Sequence, residues 1–156
     1  MADTPEKSDD IVLNNFLCFG LYAGNHAMNR VYQPLLKQLG LTYPQYLVMV
    51  MLWARDDQLV GELGRRLYLE SNTLTPMLKR LETLGYVTRG RDPKDERQVR
   101  IRLTDAGKAL QTEAACIPPE IIEATGMTLS ELTDLIGKIE SLRANLSDWN
   151  LQRSAG

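Results

Sequence analysis

Cysteine and histidine are scarce in this chain. It has two cysteines, Cys18 and Cys116, and one histidine, His26. These are too few for a structural zinc site, which takes four ligands, and no metal or other cofactor is expected. Long apolar runs are missing too. No segment approaches the ~20 residues that cross a bilayer, so no membrane partner is expected. Met1 to Asp10 is polar and acidic and lacks the apolar heart of an export signal. The expected location is therefore the cytoplasm, where two cysteines are free or redox-active rather than structurally bridged. Internal repeats and low-complexity tracts are absent. A chain of 156 residues suits one domain with a core of ordinary size.

Excess positive charge is also lacking. The formal net charge is −2, which on its own argues against nucleic acid. The distribution says otherwise. Residues 55–108 carry twelve Lys/Arg against nine Asp/Glu, and the rest six against eleven. Within 79–102 the count is eight against four. A basic segment on an acidic body suits a small DNA reader, although solvated faces show the same asymmetry.

Apolar spacing predicts a first helix from Ile11 to about Gln38, capped by Asp9 or Asp10. Pro34 should kink or restart it, and Gly40 should end it. Thr42 and Pro44 open a second helix through Trp53, apolar nearly all round and so buried. Leu59, Leu63 and Leu67 mark a short third helix. After the turn Tyr68-Leu69-Glu70, Ser71 or a neighbour caps a fourth helix that runs to Leu84. Tyr86 to Arg91 and Gln98 to Leu103 alternate as strands around a polar turn, with Val87, Val99, Ile101 and Leu103 assigned to one face. Arg89, Arg91, Arg100 and Arg102 are assigned to the other. A fifth helix starts at Thr104 and reaches about Ile117, where Pro118-Pro119 either break it or begin a continuation. Thr128 and Glu131 form a capping box for a last helix.

Helix, turn, helix, hairpin is the order of a winged helix-turn-helix, in a fold that is mainly α with a small β-hairpin wing. The second helix of the pair enters the major groove N-terminus first. Ser71, Asn72, Thr73, Thr75 and Pro76 lie at that end, where short polar side chains reach base edges. Lys79 and Arg80, a turn later, suit phosphates. The wing tip, Lys94 to Arg97, can reach an adjacent minor groove. The expected partner is double-stranded DNA.

At these residues the chain resembles the MarR family of bacterial regulators. The matching segments are Leu74 to Glu82, Gly85-Tyr86-Val87, Asp95-Glu96-Arg97 and Leu103-Thr104-Asp105-Ala106-Gly107, in order. The resemblance implies one MarR-type domain over 1–156. Residues of about 10–40 and 105–150 would form dimerisation helices, and about 41–104 the DNA-binding unit. It further implies a homodimer on a pseudo-palindromic operator, with Arg97 in the minor groove oriented by Asp95. The chain is similar in particular to the organic hydroperoxide resistance regulators, through the Leu17-Cys18-Phe19 and Leu21-Tyr22 segment, Tyr32, and the run from Leu41 to Met49. That branch implies that Cys18 senses peroxide and that Tyr32 and Tyr43 hydrogen-bond it.

The residues themselves constrain this. Phe16, Phe19 and Tyr22 lie within one turn of Cys18 and are expected to make its surroundings an apolar pocket. Cys18 and Tyr32 are fourteen residues apart on one helix, about 21 Å at ~1.5 Å per residue. If they meet, Tyr32 must come from a second chain. The nucleophile toward peroxide is the thiolate, which hydrogen bonds from tyrosine hydroxyls stabilise. Oxidation gives a sulfenic acid that condenses with a thiol. Either Cys116 or a small cellular thiol can play that part. Three functions stand at this point: a repressor switched by organic hydroperoxide, a regulator gated by a phenolic ligand, and a thiol peroxidase. The DNA-reading unit and the lack of a peroxidase motif count against an enzyme.

Overall fold

Capping chemistry decides where most of the helices begin and end. The computed structural model describes Leu13 and residues 15–154. Helix α1 is Leu17–Leu39. The expected caps, Asp9 and Asp10, lie outside the described residues. Leu13 is helical, but an extended Phe16 (φ −87°, ψ 123°) stands between it and α1, which therefore starts later than the apolar spacing suggests. Nor does Pro34 restart it: α1 runs through the proline as one element. A proline inside a helix removes a single backbone bond, and buried Leu36 and Leu39 hold the turn that follows. Gly40, at φ 68°, closes the helix by donating to the Leu36 and Lys37 carbonyls.

Helix α2, Tyr43–Ala54, opens on a complete capping box. The Thr42 amide donates to Gln45 Oε1 at 2.9 Å, and the Gln45 amide to Thr42 Oγ1 at 3.4 Å. Its Val48, Met49 and Leu52 are fully buried, as its all-round apolar character requires. A two-residue strand β1, Gln58–Leu59, follows. It is too short for alternation to reveal. Helices α3, Val60–Leu67, and α4, Ser71–Thr83, form the helix pair. Ser71 is the first helical residue of α4 rather than its cap; that position falls to Glu70, without a side-chain bond.

Strands β2, Val87–Arg91, and β3, Val99–Leu103, form the hairpin, and β1 adds to it in the order β1-β3-β2. The register pairs Val87 with Leu103, Arg89 with Ile101 and Arg91 with Val99. Directly paired residues share a face. Arg89 and Arg91 therefore lie on the side of Val87 and Ile101, and only Arg100 and Arg102 occupy the opposite face of β3. The strand period of two forces this correction.

Helix α5, Asp105–Ala114, is capped by Thr104 Oγ1, which accepts from the Gly107 amide at 3.0 Å. Only glycine fits at 107, since a Cβ there would collide with the Tyr86 carbonyl oxygen. α5 ends three residues short of its expected end. Ala115 and Cys116 form a turn, and α6, Ile117–Thr125, begins with Pro118-Pro119 in its first turn. Helix α7, Leu129–Ser154, starts from the expected box, with Thr128 and Glu131 bonded reciprocally at 2.8–3.2 Å.

The chain divides into two compact units, the first ending at Ile117 and the second starting at Pro118. The first unit holds the core. Leu63, Leu74, Leu78, Leu81 and Ile101 are buried there, each contributing roughly 1.5–3 kcal/mol by its removal from water. In the second unit no residue of α7 is buried. Among the described residues no helix is long and apolar enough to cross a membrane.

Candidate functional site

The first turn of α4 presents Ser71, Asn72 and Thr73 to solvent, with Pro76, Lys79 and Arg80 exposed further along and Thr75 half-buried. Leu74, Leu78 and Leu81 anchor the opposite stripe in the core. The helix thus shows a polar face fixed by an apolar one, which is what a rigid reading element needs. Sequence reasoning passed over Arg65 and Arg66, exposed on the last turn of α3. Their signal was two adjacent arginines on the first helix of the pair.

The wing tip is ordered by carboxylates. Asp95 Oδ1 accepts from the Arg97 amide at 3.1 Å and from Arg97 Nε at 3.0 Å, while Oδ2 accepts from Nη2 at 3.3 Å. The Arg97 side chain is 90% exposed, so it is aimed yet available. Lys94 is exposed beside it. The arginines of β3 are another matter: Arg100 and Arg102 both pair with Asp57. The polar strand face is therefore not merely solvated.

These pairings set the acid response. Asp57 and Asp92 are held below the usual carboxylate range first by hydrogen bonds from Arg100, and Asp95 first by hydrogen bonds from Arg97. A carboxylate depressed in the fold adds stability above its unfolded value, and that stability is lost as pH falls through the folded one. The wing should therefore keep its structure down to about pH 4, the ordinary aspartate value, and loosen only below it. Nuclear magnetic resonance of the Lys94 and Asp95 amides across a pH titration checks this. A transition centred well above that point would contradict the role of these pairs.

The sulfur residues are distributed differently. Cys18 is exposed near the start of α1. Phe16, Leu17 and Tyr22 are exposed around it. The expected apolar pocket does not close over the thiol within one chain: among the described residues only Phe19 of this stretch is half-buried. Tyr22 packs edge-on against His26 at 4.4 Å, as their spacing of four on one helix allows. Among the described residues, no hydrogen bond reaches the Cys18 thiol.

At the other end of α1, Tyr32 meets Tyr43 of α2 with ring centroids 4.7 Å apart, and Tyr46 at 6.0 Å. Tyr32 and Tyr43 line a groove of about 560 Å³ together with His26, Leu36 and Leu41. Burial, with Tyr43 and Tyr46 adding to it, pushes the Tyr32 phenol up to about 12. Burial also raises Tyr43. These hydroxyls remain protonated donors throughout the physiological range. Tyr46 is the member that sequence reasoning missed. Its spacing of three from Tyr43 on one helix was the available signal. It is raised by burial, then by Tyr43, then by Cys116. Cys116 thus lies within electrostatic reach of the same cluster, exposed in its turn with the thiol against the Glu113 carbonyl at 3.6 Å. Tyr46 in turn packs on Trp53, whose Nε1 donates to the Gly107 carbonyl at 2.8 Å.

Comparison with known proteins places this geometry. The family model described as transcriptional regulator SarA/Rot matches residues 30–113. The HTH-type transcriptional regulator TtmR of Methylorubrum extorquens (strain PA1) is 48% identical over 140 residues, 90% of this chain and 72% of the relative. The organic hydroperoxide resistance transcriptional regulator of Bacillus subtilis (strain 168) is 42% identical over 144 residues, 92% of this chain and 98% of the relative. Among solved structures, reduced AbfR bound to DNA has a TM-score of 0.72 at 38% identity, covering 90% of this chain and 97% of the other. AbfR, a protein of Staphylococcus epidermidis, has also been solved with its disulfide formed.

Proposed function

Because the chain belongs to the MarR/SarA-type family of winged-helix transcriptional regulators, we propose that it is a dimeric operator-binding repressor of the bacterial cytoplasm that organic hydroperoxides switch off through Cys18. The observation that carries this is the separation on α1. An exposed cysteine stands at one end, and a pair of protonated tyrosines faces a groove at the other. In a dimer, Cys18 of one copy meets Tyr32 and Tyr43 of the other, and exposed Phe16 and Tyr22, with half-buried Phe19, become the wall of a closed pocket. The names of the Bacillus subtilis relative and of the AbfR structures support the same reading.

The chemistry balances. The Cys18 thiolate attacks the terminal peroxide oxygen, the O–O bond breaks, and the alkoxide leaves and takes a proton as the alcohol. Sulfur is oxidised to the sulfenic acid. A second thiolate then attacks that sulfur, the S–O bond breaks, and water leaves as a disulfide forms. Cys116 is the resolving thiol in this reading, supported by its exposure as the second cysteine of the chain. Disulfide formation needs Cα atoms within about 7 Å, so closure draws parts of two chains together and moves the reading helices off operator spacing. Ser71, Asn72, Thr73, Thr75 and Pro76 read the major groove, Lys79, Arg80 and Lys94 hold phosphates, and Arg97 enters the minor groove on the support of Asp95.

The groove beside Tyr32 favours a second reading, in which a phenolic ligand gates binding reversibly. Fluorescence anisotropy at fixed salt separates the two. The probe is a labelled duplex selected by the protein from a random pool, with one equivalent of cumene hydroperoxide added per subunit. Wild type should release the duplex and Cys18→Ser should keep it. Cys116→Ser should oxidise without forming the disulfide. Retention by wild type after Cys18 is shown to be oxidised would eliminate the redox switch and leave the ligand-gated regulator.

A further inference from the structure

The root of the wing holds a charge cluster with no part in the sulfur chemistry or in direct contact with DNA. Arg100 Nε donates to Asp57 Oδ1 at 2.7 Å, its Nη2 to the Asp57 carbonyl at 2.9 Å, and its Nη1 to Asp92 Oδ2 at 2.7 Å. Arg102 Nε reaches the same Asp57 oxygen at 3.0 Å. The two carboxylates come from different places. Asp57 stands outside the wing, in the turn between α2 and β1, at φ 57°, a left-handed conformation that Asp tolerates better than most residues. Asp92 belongs to the wing loop and is only 5% exposed. Its Oδ1 accepts the amides of Lys94 and Asp95 at 2.6 and 3.4 Å. Asp95 in turn grips Arg97. One continuous series of charge-assisted bonds therefore runs from the turn after α2, through Arg100, to the arginine at the tip.

Charge arithmetic decides what this cluster is for. Two arginines face two aspartates, so the cluster carries no net positive charge to draw phosphate. A planar guanidinium is needed to bridge two carboxylates and a carbonyl at once, and a lysine ammonium lacks that fork. The bonds are short and partly shielded from water, so salt screens them less than it screens exposed pairs.

We propose that Arg100 is a positioning residue for operator reading: by bridging Asp57 and Asp92 it fixes the wing loop, and with it Arg97, relative to the body that carries the recognition helix. The proposal rests on the reading of the wing as a minor-groove contact. Arg100 itself touches no DNA. It acts through Arg97.

The test uses the full chain and the selected duplex, with Arg100→Ala, Arg100→Lys, Arg97→Ala and the Arg97→Ala/Arg100→Ala double variant. Arg97→Ala should weaken binding about tenfold or more, the order expected for loss of one groove contact. Arg100→Ala should weaken it by a comparable factor and add nothing in the Arg97→Ala background. Arg100→Lys should behave like Arg100→Ala. Multiplying factors, or full affinity in Arg100→Lys, would overturn the proposal in favour of a direct phosphate contact. Hydrogen exchange of the Lys94 and Asp95 amides should quicken in Arg100→Ala without DNA present, and unchanged exchange also overturns the brace. Asp57→Gly keeps the left-handed turn while removing the carboxylate, and should reproduce both effects if Arg100→Ala fails to fold. Normal binding by Arg97→Ala would instead sink the wing reading itself. That outcome is distinct from a failed brace, in which Arg97→Ala weakens binding and Arg100→Ala does not.

Discussion

Ile139→Asp is expected to turn the operator-binding dimer into a monomer and to weaken operator binding by roughly a hundredfold or more, the scale on which joined half-sites reinforce each other. The reason lies in α7. Its Leu135, Ile139 and Leu146 are exposed, and Leu142 is half-buried between them. Their spacing of four, three and four puts all four on one side of a helix. A soluble chain rarely leaves such a stripe in water unless another surface covers it. The exposed Leu17, Leu21 and Met28 of α1 add to the apolar area that a second copy would cover. A carboxylate at 139 would have to enter that interface without a partner, at a cost that exceeds what the remaining contacts return. The chain's own core should be untouched, because no residue of α7 is buried within it. Light scattering after size exclusion reads the association state, circular dichroism the helix content, and anisotropy the operator affinity. A variant that stays dimeric and binds normally would remove α7 from the interface.

The second large effect concerns where the sulfur site gets its parts. Neither a Cys18→Ser chain nor a Tyr32→Phe/Tyr43→Phe chain should respond well to cumene hydroperoxide by itself. The first lacks the nucleophile. The second lacks both hydrogen bonds to the thiolate, each worth about 1.5–3 kcal/mol when one partner is charged, so its oxidation should slow by roughly a hundredfold or more. A mixed dimer of the two chains should regain a fast phase. If the site is built across the dimer, Cys18 of the double-Phe chain faces intact Tyr32 and Tyr43 of the Cys18→Ser chain, and one of the two sites is whole. If the site were built within one chain, every site in the mixed dimer would be broken. Labelling of the sulfenic acid with a dimedone probe, followed in time by mass spectrometry, reads the rate. Oxidation no faster in the mixed dimer than in the double-Phe homodimer would rule out the shared site.

The sequence by itself determined the helices, the hairpin and the polar face of α4. Their signals are local. Thr42 with Gln45, Thr104 with Gly107, and Thr128 with Glu131 cap helices through partners three residues away. Asp95 and Arg97 meet within one turn of the wing. Where a signal was local but incomplete, the outcome shifted by a few residues: α1 starts at Leu17, and α5 stops before Cys116. The tertiary structure decided what joins residues distant in the chain. It put β1 beside β3, turned Arg89 and Arg91 to the side of Val87, and spent Arg100 and Arg102 on Asp57, forty-three residues away in the case of Arg100. It brought Tyr32 against Tyr43 and Tyr46, and Trp53 to the Gly107 carbonyl. Spacing encodes which face of an element a side chain occupies. Which face of another element it meets depends on how the chain folds back, and no local pattern carries that.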